Sequence, residues 1–141
     1  MRARTLFSLV VAIALVLSAT MAATTTKPPV QASRITFTEV TRVCGHYLMG
    51  TYVVVHDDRK MADGEPCTTF YRLRPGAAAE PVLSFHCIPR QRPMAAQTTI
   101  VTASTGGVTT TTHAVDLIEY QIAGDSEAHG IPATDVYVTN R

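Results

Sequence analysis

The chain has 141 residues, and its 12 Lys and Arg against 11 Asp and Glu give a formal net charge of +1 at pH 7. It contains neither Trp nor a run of basic residues, which argues against the electrostatic footprint of a nucleic-acid-binding protein. This length is that of one ordinary domain with a short additional segment.

Residues 1–22 follow the three-part pattern of a secretory signal peptide. Arg2 and Arg4 precede an apolar stretch from Leu6 to Leu17 that only Ser8 interrupts, and small residues follow it. This stretch is shorter than the roughly 20 residues that a membrane span needs. We therefore predict cleavage at Ala22 or the next residue, a periplasmic or extracellular location and no membrane span afterwards. The alternative is an uncleaved membrane anchor.

Residues 23–33 are rich in Thr and Pro and are predicted to form a flexible leader to a β domain over residues 34–141. In the β domain, apolar residues recur with period two, and Thr, Val, Ile, Tyr and Phe dominate these runs. The predicted strands are 35–43, 47–56, 67–74, 81–88, 98–105, 108–123 and 134–138. The fold class is therefore all-β, as a single antiparallel β-sandwich or a small β-barrel of six to eight strands.

The two cysteines of a predicted hairpin are expected to form a disulfide. A register that places Tyr71 opposite Leu83 gathers the apolar side chains on one face and places Cys67 opposite Cys87. Residues opposed in this way have Cα atoms about 4.5–5.5 Å apart, which is within the range of a disulfide. Cys44 then remains as a buried thiol. Disulfides of Cys44 with either of the other two cysteines are the alternatives.

A second hairpin is predicted around Gly106-Gly107, because two consecutive glycines suit the positive φ angles of a two-residue turn. In this register Ala103 faces Thr110. The predicted face is rich in Thr, which is favourable on a solvated side of a sheet.

Two segments gather side chains that are able to bind metal. The first contains His56, Asp57, Asp58, Asp63 and Glu65, and the second contains Asp125, Glu127 and His129. Oxygen ligands in such loops suit calcium, although Asp is also common in turns for conformational reasons. A divalent metal at either segment is one interpretation, and if both segments lie at the same end of the fold, His56, Asp57, Asp125 and His129 are able to converge. The other interpretation gives their acidic residues a role in turns only, with no cofactor.

The segment LSFHCIP, residues 83–89, places His86 next to Cys87. Adjacent residues of a strand point to opposite faces, so these two side chains are not expected to reach one ion. We interpret Cys87 as a core residue and His86 as solvent-facing. Cys44 and His46, two residues apart, share a face of a regular strand and are the alternative candidates for a metal or redox site.

No catalytic residue is assigned. The chain lacks the GxSxG motif of a serine nucleophile. Ser84 and His86 are two residues apart and share a face of a regular strand, so a hydrolase would require a concave pocket around them.

The segment at residues 47–58 reads YLMGTYVVVHDD. Its stretch from Gly50 to Val55 contains the pattern G-x-Y-x-V. It resembles a strand entry of small exported bacterial β-domain proteins of uncharacterised families. Met49 departs from the small residue that is commoner before this Gly. The resemblance is confined to this strand, and it implies an exported β-barrel or β-sandwich without implying an activity.

Together these features predict an exported protein of the bacterial envelope that binds an envelope protein or a small ligand without catalysis. The alternative is a metal-binding or redox-active periplasmic protein that uses Cys44 and His46. A hydrolase is the third hypothesis. The identity of the partner and the oligomeric state do not follow from the sequence.

Overall fold

The computed structural model describes residues 26–104 and 114–133. Its elements are β1 Val30–Val43, β2 His46–Asp57, α1 Asp58–Ala62, β3 Thr68–Arg72, β4 Glu80–Phe85, β5 Ile88–Gln91, β6 Thr99–Ser104, β7 Val115–Gln121 and β8 Glu127–Gly130. The predicted signal peptide, the Gly106-Gly107 turn and the predicted strand at 134–138 lie outside the described residues. Within the described part of the chain, no helix has the length and apolar character needed to cross a membrane.

The strands form one curled sheet in the order β4-β3-β2-β1-β7-β8-β5, and β6 also pairs with β7. The sheet has the shape of a half-barrel, which confirms the predicted all-β class. It is mixed rather than wholly antiparallel, because Thr41 and Arg42 of β1 pair in parallel with Val115 and Asp116 of β7. The remaining strand pairs are antiparallel.

The long β1–β2 hairpin contains an irregularity that bends the sheet. Its register shifts between Phe37 and Thr41, as happens at a β-bulge, which increases local twist. Phe37 faces Gly50, whose φ of +91° lies in a region that favours glycine. The inner face of the bent sheet carries the core.

Phe70 lies at the centre of this core and is completely buried. Its ring is 6.3 Å from Phe37 and 6.1 Å from Phe85 between centroids, and it meets Tyr120 edge to face at 6.2 Å. The Tyr120 hydroxyl lies 2.8 Å from the Thr68 hydroxyl, so the polar end of this buried ring is hydrogen-bonded. A single aromatic cluster therefore joins β1, β3, β4 and β7.

The structure corrects the registers of both predicted hairpins. Phe70 faces Leu83, whereas the prediction placed Tyr71 there, and Tyr71 faces Pro81 across a register shift. Strict alternation was assumed, but β3 buries Thr68, Thr69 and Phe70 in succession. In the second hairpin Ala103 faces Asp116 rather than Thr110, because β6 pairs with β7 across a longer connection.

The predicted boundaries also change at three places. β1 begins at Val30, earlier than the predicted start at residue 35. The predicted strand at 81–88 is two strands, β4 and β5, separated by His86 and Cys87. The acidic segment near residue 127, predicted as a loop, contains β8.

Glu119 on β7 forms an ion-pair group with two arginines outside the aromatic core. Arg92 donates to both carboxylate oxygens at 3.0 and 3.1 Å, and Arg90 donates at 3.3 Å. The hydrogen bond from Arg92 is the main reason why the pKa of Glu119 lies below its usual value, and it outweighs the opposing effect of burial.

We expect Glu119→Gln to lower the free energy of unfolding at pH 7 by about 1–2 kcal/mol, since charge-assisted hydrogen bonds to a buried carboxylate are lost while the arginines stay partly solvated. The folded-state pKa is depressed, so this contribution is complete above the unfolded-state pKa of about 4.3 and disappears as the pH falls through the folded-state pKa. Urea denaturation at pH 7 and at progressively lower pH checks this. Glu80→Gln, on the exposed Arg74–Glu80 pair, is the control and should have a smaller effect. An unchanged difference between wild type and Glu119→Gln across the acidic range would contradict the prediction.

Candidate metal centre

Three potential metal ligands, His56, Cys87 and His129, converge where the two ends of the curled sheet meet, and Cys67 adjoins them through its contact with Cys87 without belonging to the group whose ligand atoms all lie close together. β4 and β5 occupy opposite ends of the strand order, yet only His86 and Cys87 separate them in the chain. The sheet must therefore curl until its ends are adjacent, and Cys87 lies at this junction. We call Cys67, Cys87, His56 and His129 together the Cys2His2 cluster.

The four side chains of the cluster come from different elements and are all buried. His56 is near the end of β2, Cys67 precedes β3, Cys87 follows β4, and His129 is in β8. Their exposed fractions are 0% for both histidines, 2% for Cys67 and 5% for Cys87. Such a group of polar side chains in a core calls for an explanation, because buried polar groups are costly unless they have partners.

The donor atoms of the cluster surround the Cys87 sulfur. Cys87 Sγ lies 3.3 Å from Cys67 Sγ, 3.5 Å from His129 Nδ1 and 3.7 Å from His56 Nδ1. The ligand atoms of His56, Cys87 and His129 all lie within 4.8 Å of one another. Ligand atoms of a tetrahedral zinc site, each 2.0–2.3 Å from the ion, are about 3.3–3.8 Å apart. The three distances from Cys87 are thus close to those of a metal site.

The outer nitrogen of each histidine faces a carboxylate. His56 Nε2 is 2.8 Å from Asp58 Oδ1, and His129 Nε2 is 3.6 Å from Asp125 Oδ2. The second distance is longer than a hydrogen bond, and His129 Nε2 is buried without a hydrogen-bond partner among the described residues. Lys27 Nζ lies 3.0 Å from Asp125 Oδ2 and 3.6 Å from Asp58 Oδ2, so an ammonium joins the two carboxylates. Metal-binding histidines typically have such a carboxylate partner.

The short contact between the two cysteines moves their pKa values in opposite directions. The hydrogen bond from the Cys87 side chain lowers the pKa of Cys67, against the opposing effect of burial. The same hydrogen bond, followed by burial, raises the pKa of Cys87. Cys67 is therefore the more readily deprotonated of the two. A metal ion would convert both to thiolates, as ligation requires.

The pKa values of the two histidines are shifted in opposite directions. Burial lowers the pKa of His129 to about 4, assisted by the neighbouring positive charge of His56. Burial also acts to lower the pKa of His56, but its hydrogen bonds to Cys67 and Asp58 outweigh this and raise it. The rings lie only 4.1 Å apart between centroids, so they do not carry two charges together. A neutral imidazole, the form that binds metal, is thus already favoured at His129.

The structure corrects the predicted disulfide. The sulfur atoms of Cys67 and Cys87 are 3.3 Å apart, whereas a disulfide bond is about 2.05 Å long, and neither cysteine is disulfide-bonded. The two residues are close for a different reason from the one predicted. The backbone leaves β4 after Phe85 and turns inward, and the Cys87 amide donates to Cys67 Sγ at 3.3 Å.

The remaining sequence candidates are located elsewhere or have other contacts. Asp57 caps α1 by accepting from the Arg59 amide, and Asp63 and Glu65 are exposed. Glu127 Oε1 lies 4.0 Å from both Lys27 Nζ and His129 Nδ1. Together with His56 and Asp58, Glu127 forms a second group of ligand atoms within 4.8 Å.

Cys44 and His46 do not lie at the cluster. His46 begins β2 and His56 lies near its other end, and ten residues of a strand span about 33 Å. Cys44 is buried with its thiol directed to the Pro132 carbonyl at 4.0 Å. Among the described residues, neither is part of a group of ligand atoms close enough to hold a metal ion.

Ser84 and His86, the residues of the hydrolase hypothesis, are engaged with other side chains. The Ser84 hydroxyl lies 2.8 Å from that of Thr69. His86 Nδ1 lies 3.9 Å from Cys67 Sγ.

No protein-family model matches the chain, and no curated protein or solved structure matches it.

Proposed function

We propose that the protein binds one transition-metal ion, zinc in the first place, at the Cys2His2 cluster. The observation that carries this proposal is the orientation of the two histidines. Each directs Nδ1 to Cys87 Sγ and Nε2 to a carboxylate, at Asp58 for His56 and at Asp125 for His129. Ordinary core packing has no need of this arrangement on both rings, whereas a metal-binding histidine does.

Charge and burial favour zinc. Two thiolates and two neutral imidazoles around Zn²⁺ have no net charge, and a neutral group is the least costly one in a core. Four protein ligands complete the tetrahedral coordination of zinc and leave no position for water. The proposed function is therefore metal binding without hydrolysis. The pattern of residues 1–22 supports a location outside the cytoplasm, where the protein would act as a binding module.

Copper is the second candidate. His56, Cys87 and His129 alone form a set of two imidazoles and one thiolate. This set occurs in trigonal copper sites with a weaker fourth ligand. Cys67, at 3.3 Å from Cys87 Sγ, would occupy the fourth position. A second thiolate there favours Cu⁺ or zinc over a stable Cu²⁺ centre.

Titration of the metal-free, reduced protein with Co²⁺ under argon tests the proposal. We expect one equivalent to bind with thiolate-to-cobalt absorption and tetrahedral d–d bands, and one equivalent of Zn²⁺ to displace it. His129→Ala and Cys87→Ser should lose this spectrum, while the matched controls His46→Ala and Cys44→Ala should retain it. Absence of stoichiometric binding, or an unchanged spectrum in His129→Ala, would overturn the proposal. A parallel titration with Cu⁺ ranks the two metals.

The carboxylate that supports His56 should also affect metal affinity. We expect Asp58→Asn to weaken zinc binding about 10- to 100-fold, since a carboxylate partner orients the ring and makes its other nitrogen more basic. Competition with a chromophoric chelator measures this change. Asp63→Asn, at the exposed end of α1, is the matched control and should bind as the wild type does. Equal affinities of Asp58→Asn and the control would contradict the prediction that the Asp58 carboxylate supports His56 as a ligand.

A further inference from the structure

We infer that Cys67 and Cys87 form a reversible redox pair that controls metal occupancy, so that oxidation to a disulfide expels the bound ion. This inference rests on the proposed function, because it concerns regulation of the same site. The two sulfurs are 3.3 Å apart and are not bonded to each other. They need to approach by only about 1.3 Å to reach the length of a disulfide bond.

The backbone around both cysteines permits this approach. Cys67 lies just before β3, and Cys87 lies in the two-residue connection between β4 and β5. Neither residue belongs to a strand. The Cys67 carbonyl accepts from the Asp57 amide at 2.9 Å, so Cys87 is the residue whose small shift leaves the strand pairing in place. The β4–β5 junction is therefore suited to both redox states.

The metal and the disulfide exclude each other. A disulfide sulfur lacks the thiolate charge that binds zinc, so oxidation removes two of the four ligands. The remaining ligands, His56 and His129, would leave a doubly charged ion in a buried position without compensating thiolates, which is unfavourable. By linkage, a bound ion must protect the two thiols from oxidation to the same extent.

The oxidant must be small, because the exposed fractions of Cys67 and Cys87 are only 2% and 5%. Hydrogen peroxide fits this requirement, whereas a disulfide on a partner protein does not reach the sulfurs without local opening. The expected selectivity therefore favours peroxide over bulky disulfides.

The chemistry of the oxidation balances. The Cys67 thiolate attacks peroxide, an S–O bond forms, the O–O bond breaks, and the departing hydroxide takes up a proton to become water. The Cys87 sulfur then attacks Cys67, the S–S bond forms, the S–O bond breaks, and a second water leaves after protonation. Two thiolates, one peroxide and two protons give one disulfide and two waters. The zinc ion leaves as Zn²⁺, and a dithiol reductant reverses the oxidation.

The test treats the zinc-loaded protein with hydrogen peroxide, follows the released zinc with a chromophoric chelator, and maps the peptides after alkylation of thiols. We expect one zinc to be released for each Cys67–Cys87 linked peptide, and zinc affinity to fall more than about 100-fold until reductant is added. Cys44→Ala should behave as the wild type does. Zinc retained in the linked protein, or zinc released without this peptide, would overturn the inference.

The same reaction on metal-free protein separates the two proposals. If the chain binds no zinc but still forms the Cys67–Cys87 peptide, the proposed function fails and the cysteines are a redox pair only. If zinc binds and peroxide forms no such peptide, the inference about oxidation fails and the metal site stands. Glutathione disulfide in place of peroxide should react far more slowly. Equal rates would contradict the predicted selectivity for a small oxidant.

Discussion

Zinc at about 100 times its dissociation constant should raise the unfolding free energy of the reduced protein by about 2.7 kcal/mol. For a domain of this size the rise corresponds to an increase of about 10–20 °C in the midpoint of thermal unfolding. The reason is topological: His56, Cys67, Cys87 and His129 come from β2, the start of β3, the β4–β5 junction and β8. They are together only when the sheet is curled, so the ion binds the folded chain much more tightly than the unfolded one.

Circular dichroism melts with and without zinc, under a reductant that does not bind metal, measure this shift. In His129→Ala the shift should fall to a small fraction of the wild-type value, while His46→Ala, a histidine at the far end of β2, should keep it. Each variant is compared with its own metal-free melt, which removes the effect of the substitution on the fold. An equal shift in both variants would mean that zinc stabilises the protein from a different position.

Strand content was largely predictable, and strand pairing was not. Period-two alternation identified the strands that form β1, β2 and β4, because each buries one face locally. The parallel contact between β1 and β7 involves only Thr41 and Arg42 on one side, and nothing in the local pattern specifies a pair so distant in sequence. The hairpin of β3 and β4 was predicted one residue out of register, because Thr68 and Thr69 are buried next to Phe70.

The candidate site was predictable in pieces. His56 and His129 stood out because each adjoins acidic residues, and Cys67 and Cys87 stood out as neighbours across a hairpin. These four side chains come together only because the sheet curls and brings β8 beside the β4–β5 junction. The spacing of residues in the sequence does not predict that curl. In a regular strand His86 and Cys87 face opposite sides, so the two are not expected to bind the same ion. That argument did not test whether Cys87 meets ligands from distant parts of the chain, such as His56 and His129.

Replacing Phe70 by alanine should lower the free energy of unfolding by about 3–5 kcal/mol, the range for removing a buried aromatic ring. Phe70 has no exposed surface and contacts the rings of Phe37, Phe85 and Tyr120. Tyr120 in turn stacks on the His129 ring at 4.8 Å between centroids. A cavity at Phe70 therefore removes support from the core and from one wall of the Cys2His2 cluster.

Urea denaturation of the metal-free protein measures the loss, with Leu73→Ala as the control because Leu73 is 40% exposed. A change no greater than that of Leu73→Ala would mean that Phe70 is not at the centre of the core. Phe70→Leu fills part of the cavity and should lose less stability than alanine. If this variant keeps its fold but binds zinc more weakly than Leu73→Ala does, the aromatic stack from Phe70 through Tyr120 to His129 positions the metal ligand. If its affinity equals that of the control, β8 alone holds His129 in place.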